Sequence, residues 1–188
     1  MKITYWCDFI CPNSYIGLYR LKNAVNELNL DVEWEMKSFE LKNYSFDSEI
    51  EEIAESEGLK IHLSNLETVN TRNAHCMVKF IQNKYPSQTE DFIEKVFKSY
   101  FIEHNDISDI NVLNEIADGF EFSMCDKYDI EVEIDIEEAL FNGITAIPHF
   151  IITVGDESLI VPGAFEKDAF KVAIEDMLSG EIKNKTFI

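Results

Sequence analysis

The chain has 188 residues, of which 46% are apolar, enough for one domain with a sizeable core and room for an insertion. Its 36 acidic residues against 16 basic ones give a formal net charge of −20. So acidic a chain repels nucleic-acid phosphates and anionic membrane surfaces, which excludes both as expected partners, and most of the charge reads as a solubilising surface.

Residues 2–7 read as a buried strand. Residues 12–28 read as a helix, with Ile16, Leu21, Ala24, Val25 and Leu28 at helical spacing. Alternating Val32, Trp34 and Met36 make Asp31 to Phe39 a second strand. A parallel pair needs such a helical crossover, so the chain opens β-α-β.

The middle is helical in pattern. A short acidic helix over Glu49 to Glu57 stops at Gly58. Leu63 to Lys84 carries Leu66, Val69, Ala74, Met77, Val78 and Ile81, and ends before Pro86. A Phe-rich helix over Thr89 to Glu103 and another over Asp109 to Asp118 follow, with polar capping candidates at Asn105 to Ser108. Asp129 to Ile136 fits two templates. Ile130, Val132, Ile134 and Ile136 alternate like a strand, while Val132, Ile136, Ala139 and Leu140 share a helical face; the charge-dense continuation from Glu137 favours a helix. Pro148 to Val154 and Ser158 to Pro162 then form a hairpin turning at Gly155-Asp156. Glu166 to Leu178 is an amphipathic helix stopped near Gly180.

The order β-α-β, helices, β-β-α is that of an α/β thioredoxin fold with a helical insertion between its second and third strands. The expected division is a thioredoxin-like domain over 1–47 and 143–188 and an inserted helical subdomain over 48–142.

Cys11 stands where the first strand gives way to the first helix, and Pro12 suits the first helical position, where a missing N–H costs nothing. Cys11 at the N-cap faces unpaired backbone N–H groups and the positive end of the helix dipole, an environment that favours a thiolate. Ser14, three residues on, shares that helix face and can offer its hydroxyl to the sulfur. Cys7 at the strand end reads as a structural thiol, with a resolving partner for Cys11 as the alternative, and Cys76 and Cys125 in helical segments read as core or surface thiols. No cysteine–histidine spacing suits a metal, and no Gly-rich phosphate loop occurs. The N-terminal stretch has no signal-peptide pattern and no run of ~18 apolar residues suggests a membrane span, so the expected compartment is the cytoplasm. The four cysteines are then expected to be free or catalytic.

Several stretches together resemble the DsbA family of thiol-disulfide oxidoreductases, and within it the cytoplasmic FrnE-like branch. They are Tyr5-Trp6-Cys7-Asp8-Phe9-Ile10-Cys11-Pro12, Ser14-Tyr15-Ile16-Gly17, Asn70-Thr71, Ala74-His75 and Tyr100-Phe101 through Asp106-Ile107-Ser108. Gly143-Ile144-Thr145-Ala146-Ile147-Pro148-His149-Phe150 and Pro162-Gly163-Ala164 complete the set. The resemblance implies that Cys11 is the nucleophile, that Pro148 is a cis-proline and that Ile147 before it borders the substrate groove; Pro12 and Asn13 are further substrate-side candidates, His75 reads either as a pocket residue or as a helix-packing histidine, and His149 is a further candidate for the groove. Two positions depart from the pattern: Ser14 replaces the second cysteine of the redox pair, and Cys7 stands where the branch more often has a small hydroxyl residue. The related kappa-class glutathione transferases and 2-hydroxychromene-2-carboxylate isomerases have serine at both the Cys11 and the Ser14 positions.

The leading expectation is a thiol-disulfide oxidoreductase or isomerase acting through Cys11 alone, with Ser14 assisting. It would hold no bound cofactor, use glutathione or another small thiol as co-substrate, and act on a disulfide-containing protein or peptide. The rivals are a glutathione transferase or glutathione-dependent isomerase of the kappa type, and a non-catalytic thioredoxin-fold binding module.

Overall fold

A computed structural model describes residues 1–42, 44–47, 49–117, 119, 122, 125–181 and 185–186, the last two by backbone alone. β1 (Lys2–Cys7) is an interior strand, and α1 (Pro12–Glu27) carries the chain over to β2 (Glu33–Ser38). β2 lies parallel to β1, with Lys2 opposite Glu33 and Cys7 opposite Ser38. On the other side of β1 runs β3 (His149–Val154), antiparallel, with Trp6 opposite His149. β4 (Glu157–Pro162) completes the hairpin at Gly155-Asp156, and the two-residue β5 (Lys185–Thr186) extends the sheet beyond it in parallel. The order is β2-β1-β3-β4-β5. This is the expected thioredoxin-like α/β sheet. α7 (Lys167–Ser179) packs along α1, and Gly180 ends it in the left-handed conformation at φ 79°, which glycine adopts without strain.

Among the described residues, five α-helices lie between β2 and β3: α2 (Glu49–Ser56), α3 (Arg72–Lys84), α4 (Thr89–Phe101), α5 (Ile110–Ala117) and α6 (Asp126–Phe141). A 3-10 turn at Pro86–Gln88 separates α3 from α4. The expected helix end at position 118 lies outside the described residues. α3 starts nine residues later than the apolar spacing from Leu63 predicts. His62 N–H donates to the Phe101 carbonyl (2.9 Å), and Asn65 adopts φ 61°. The Asn70 side chain then accepts the Arg72 N–H (2.9 Å), opening the helix there. Leu63 is buried and Leu66 and Val69 pack against the core from a non-helical segment, which imitates helical periodicity.

α6 settles the strand-or-helix ambiguity in favour of the helix. Its inner face buries Tyr128, Val132, Asp135 and Ala139 against α3 and β2. Asp135 is the tie: Ser38 N–H donates to its Oδ2 (2.7 Å), Lys79 pairs with the same carboxylate, and Trp6 Nε1–H donates to its backbone oxygen (3.2 Å). Among the described residues, no helix is long and apolar enough to cross a membrane.

Candidate active site around Cys11

β1 ends at Cys7, and the chain turns through Asp8, Phe9 and Ile10 before α1 begins. Cys11 is the N-cap, in extended backbone at φ −93° and ψ 106°, with Pro12 in the first turn. The Asp8 carbonyl accepts the Cys11 N–H (3.1 Å) and closes this turn. The sulfur thus faces the start of α1, where the first N–H groups have no helical partners.

The antiparallel β1–β3 register places the start of β3 beside this turn. The Ile147–Pro148 peptide bond is cis, and Cys11 Sγ lies 3.9 Å from the Ile147 carbonyl oxygen, toward which the thiol donates. Gly163 N–H donates to the Pro148 carbonyl (2.8 Å) and holds the loop after β4 against it. Gly17 makes this approach possible. A Cβ there would stand 3.0 Å from Pro148 Cγ and 3.1 Å from both Ala164 Cα and Cβ. The buried Arg20 guanidinium fixes the same loop, donating to the Ala164 carbonyl (2.9 Å) while pairing with Glu57 and Glu166.

Burial corrects the expectation of a resting thiolate. Cys11 is only 2% exposed, and this burial pushes its pKa up from 9.0 to about 11. The Ser14 hydroxyl, then the Ser14 and Asn13 N–H groups, pull it down, while the Asp8 carboxylate pushes it further up. The helix start therefore acts in the expected direction, but loss of water outweighs it. Ser14 is itself wholly buried, and among the described residues its hydroxyl has no hydrogen-bond partner of good geometry. Burial also holds the Cys7 and Cys76 thiols up, whereas Cys125 is exposed.

Of the residues expected around the substrate, Cys11, Ser14, Ile147 and Pro148 converge, and Pro12 and Asn13 open α1 beside them. His75 does not reach the surface. It is wholly buried in α3, with Nε2 3.3 Å from the Asp8 carboxylate. His149 is half-buried and turns an edge toward Trp6, with ring centroids 6.1 Å apart.

Two neighbours of the sulfur escaped the sequence reading. Asp8 is wholly buried beside it. Tyr44, from the segment after β2, has its hydroxyl pushed up to about 12 by burial and by the Cys11 charge, with the Asn13 side chain pulling the other way. Asp8 lies within the stretch that resembles the family, so motif comparison could have found it; Tyr44 sits in an irregular segment without a pattern. A cavity of about 420 Å³ flanks this turn, lined by Ile10, Leu41, Lys42, Thr68, Asn70 and Thr71. A larger one, about 470 Å³, lies at the opposite end of the sheet near Trp34 and Thr89, away from the thiol. Among the described residues, no three His, Cys, Asp or Glu side chains converge as a metal site.

The profile of the DSBA-like thioredoxin domain matches residues 2–175. The chain belongs to this family. It is 28% identical to the uncharacterized protein YwbO of Bacillus subtilis (strain 168), over 94% of this chain and 96% of that one. The probable DsbA oxidoreductase SCO1869 of Streptomyces coelicolor shares the fold at TM-score 0.79 and 21% identity, covering 100% of this chain and 94% of that one. The cytosolic disulfide reductase DsbM of Pseudomonas aeruginosa does so at TM-score 0.71 and 11% identity, covering 95% of this chain and 99% of its own, and its structure with GSH aligns at TM-score 0.70. At these identities the solved structures speak for the fold. In this chain, Cys11 stands at the start of α1 with the cis Ile147–Pro148 bond beside it.

Proposed function

We propose that this DSBA-like protein is a monothiol thiol-disulfide oxidoreductase whose nucleophile is Cys11. The ionised Cys11 sulfur attacks one sulfur of a substrate disulfide R–S–S–R′. A Cys11–S–S–R bond forms, the substrate S–S bond breaks, and R′–S⁻ leaves and takes up a proton. With Ser14 in place of a second cysteine, an external thiol R″–SH completes the cycle. It attacks the mixed disulfide, yields R–S–S–R″ and returns Cys11 as the thiol. Ser14 donates its hydroxyl to the Cys11 sulfur whenever that sulfur carries charge, in attack and as leaving group.

Glutathione or another small thiol is the resolving partner, and a glutathionylated or otherwise disulfide-bearing protein or peptide is the substrate. Such a cycle suits a reducing compartment such as the cytoplasm, where the thiol pool is continuously supplied. The observation that carries the reading is the convergence of Cys11 Sγ on the Ile147 carbonyl beside cis-Pro148, with no second thiol in the motif. The backbone of that loop offers an extended substrate strand-like pairing next to the sulfur.

The test is exposure to oxidised glutathione followed by peptide mass spectrometry and an assay on a glutathionylated peptide. A glutathione adduct on Cys11, and loss of turnover in Cys11→Ser, are expected. An adduct confined to Cys125, or turnover surviving Cys11→Ser, overturns the assignment. A glutathione transferase or isomerase is the second reading, favoured by the buried, unpartnered Ser14 hydroxyl. Conjugation or isomerisation that survives Cys11→Ser would select it.

A further inference from the structure

α6 is apolar on two sides. Its inner face is buried, yet on its outer face Ile130 is 57% exposed, Ile134 53%, and Phe141 90%, with Leu140 beside them at 65%. Ile130, Ile134, Glu137 and Phe141 follow one another at spacings of four, three and four residues, which aligns them in a single stripe along the helix. Scattered exposed apolar residues are ordinary, but an aligned stripe on a helix already anchored by its other face matches the seam of a helix–helix contact.

The charge around the stripe says what fits it. The sixteen residues of α6 carry seven carboxylates and one lysine. Arg72 engages Glu133 (3.1 Å) and Asp129 (3.6 Å), and Lys127 engages Glu131 (3.4 Å). Among the described residues, neither Asp126 nor Glu137 is in an ion pair, and Glu137 interrupts the stripe itself. A second copy of the chain would set these carboxylates against their equals, on a molecule of net charge −20.

We propose that the outer face of α6 docks a basic amphipathic helix of a partner protein. Its apolar side would cover Ile130, Ile134 and Phe141, and its lysines or arginines would meet Glu137 and Asp126. The chemistry is the helix-in-groove mode with electrostatic selection of the partner. It is independent of any reaction at Cys11.

The probe is a labelled synthetic Lys/Leu peptide with heptad-spaced leucines, titrated by fluorescence anisotropy against the intact protein. A Glu/Leu peptide of the same spacing and a scrambled Lys/Leu peptide are the controls. The Lys/Leu peptide is expected to bind, the scrambled one far more weakly, and the Glu/Leu peptide not at all. In the double variant Ile134→Ser, Phe141→Ser, affinity is expected to fall by about tenfold or more, with the circular dichroism and melting temperature retained because both side chains are exposed. Glu137→Lys, which alters no buried group, is expected to weaken binding as well. Equal binding by the double variant or by the scrambled peptide overturns the proposal. So does a wild-type dimer in sedimentation that the double variant abolishes, since the stripe would then be covered by a second copy.

Discussion

His75 Nε2 lies 3.3 Å from Asp8 Oδ1, and neither side chain has any exposed surface. A carboxylate only accepts, so the imidazole Nε2–H donates. The other Asp8 oxygen accepts the Leu41 N–H (2.6 Å). One buried carboxylate thereby joins the turn before Cys11, the segment after β2 and the inserted helix α3. Its charge also acts on Cys11, raising the thiol's pKa. Asp8 thus secures the site's architecture while making the sulfur harder to ionise.

Asp8→Asn separates these two effects. The amide keeps the shape but offers one oxygen to two donors, so a buried donor loses its partner at a cost of about 1–3 kcal/mol. The Cys11 pKa is expected to fall, because a negative neighbour has been removed. Urea unfolding should show the loss of stability, and thiolate absorbance against pH should show the lowered titration. An unchanged Cys11 titration in a folded variant would mean that the Asp8 charge does not govern the sulfur.

Reactivity should follow exposure before it follows position in the helix. Exposed Cys125 is expected to alkylate faster than Cys11 near neutral pH, since the Cys11 thiol is held at about 11 in the absence of substrate. Timed alkylation read by peptide mass spectrometry checks this, and Cys11 labelling first would mean that the site opens without substrate. Stability carries the same imprint. The unfolded chain releases the Cys11 proton near its ordinary value of 9.0, while the folded chain keeps it to about 11. Above pH 9.0 the folded state therefore binds more protons, and its advantage is lost as pH rises through about 11. A two-unit shift corresponds to roughly 3 kcal/mol. The urea midpoint should fall across this window, and fall less in Cys11→Ser.

β1 and α1 were legible as apolar runs bounded by turn residues, buried on more than one side, while the closing hairpin and α7 each keep a clean period. The position of Cys11 was legible for the same reason, since it falls at a strand-to-helix boundary marked by Pro12. Its pKa was not. Burial raises it, and among the groups that meet the sulfur is the Ile147 carbonyl, 136 residues away. The start of α3 was hidden because Leu66 and Val69 pack on the core at helical spacing without being helical. α6 read ambiguously because apolar residues on both faces create the alternation of a strand. Asp8 carries no pattern of its own, and its meaning depends on His75, 67 residues away.

Ser14 sits where a second thiol would complete a redox pair, and it is fully enclosed. Ser14→Ala removes a donor that favours the charged sulfur, so the Cys11 pKa should rise further and disulfide attack near neutral pH should slow several-fold. Ser14→Cys supplies a resolving thiol one helical turn from Cys11. It should reduce insulin disulfides faster than wild type in the presence of a dithiol reductant. A folded Ser14→Cys variant with no gain would show that the groove does not admit protein disulfides.

Gly17→Ala tests the contact between α1 and the proline loop. Replacing glycine by alanine inside an exposed helix ordinarily stabilises by about 1 kcal/mol. Here the added methyl would meet Pro148 Cγ at 3.0 Å and the Ala164 backbone at 3.1 Å. Both belong to the loops that frame the sulfur; Arg20 restrains the Ala164 side from yielding, so the proline loop yields instead and strains its hydrogen bond from Gly163. The proline loop must therefore move away from α1, carrying the Ile147 carbonyl away from Cys11 Sγ. Disulfide exchange is expected to fall about tenfold while the protein stays folded, because overpacking costs roughly 1–3 kcal/mol and the propensity gain offsets part of it. Single-turnover formation of the Cys11 mixed disulfide, set beside the melting temperature, is the measurement. Wild-type exchange in Gly17→Ala would mean that the spacing between Cys11 and Ile147 does not limit the chemistry.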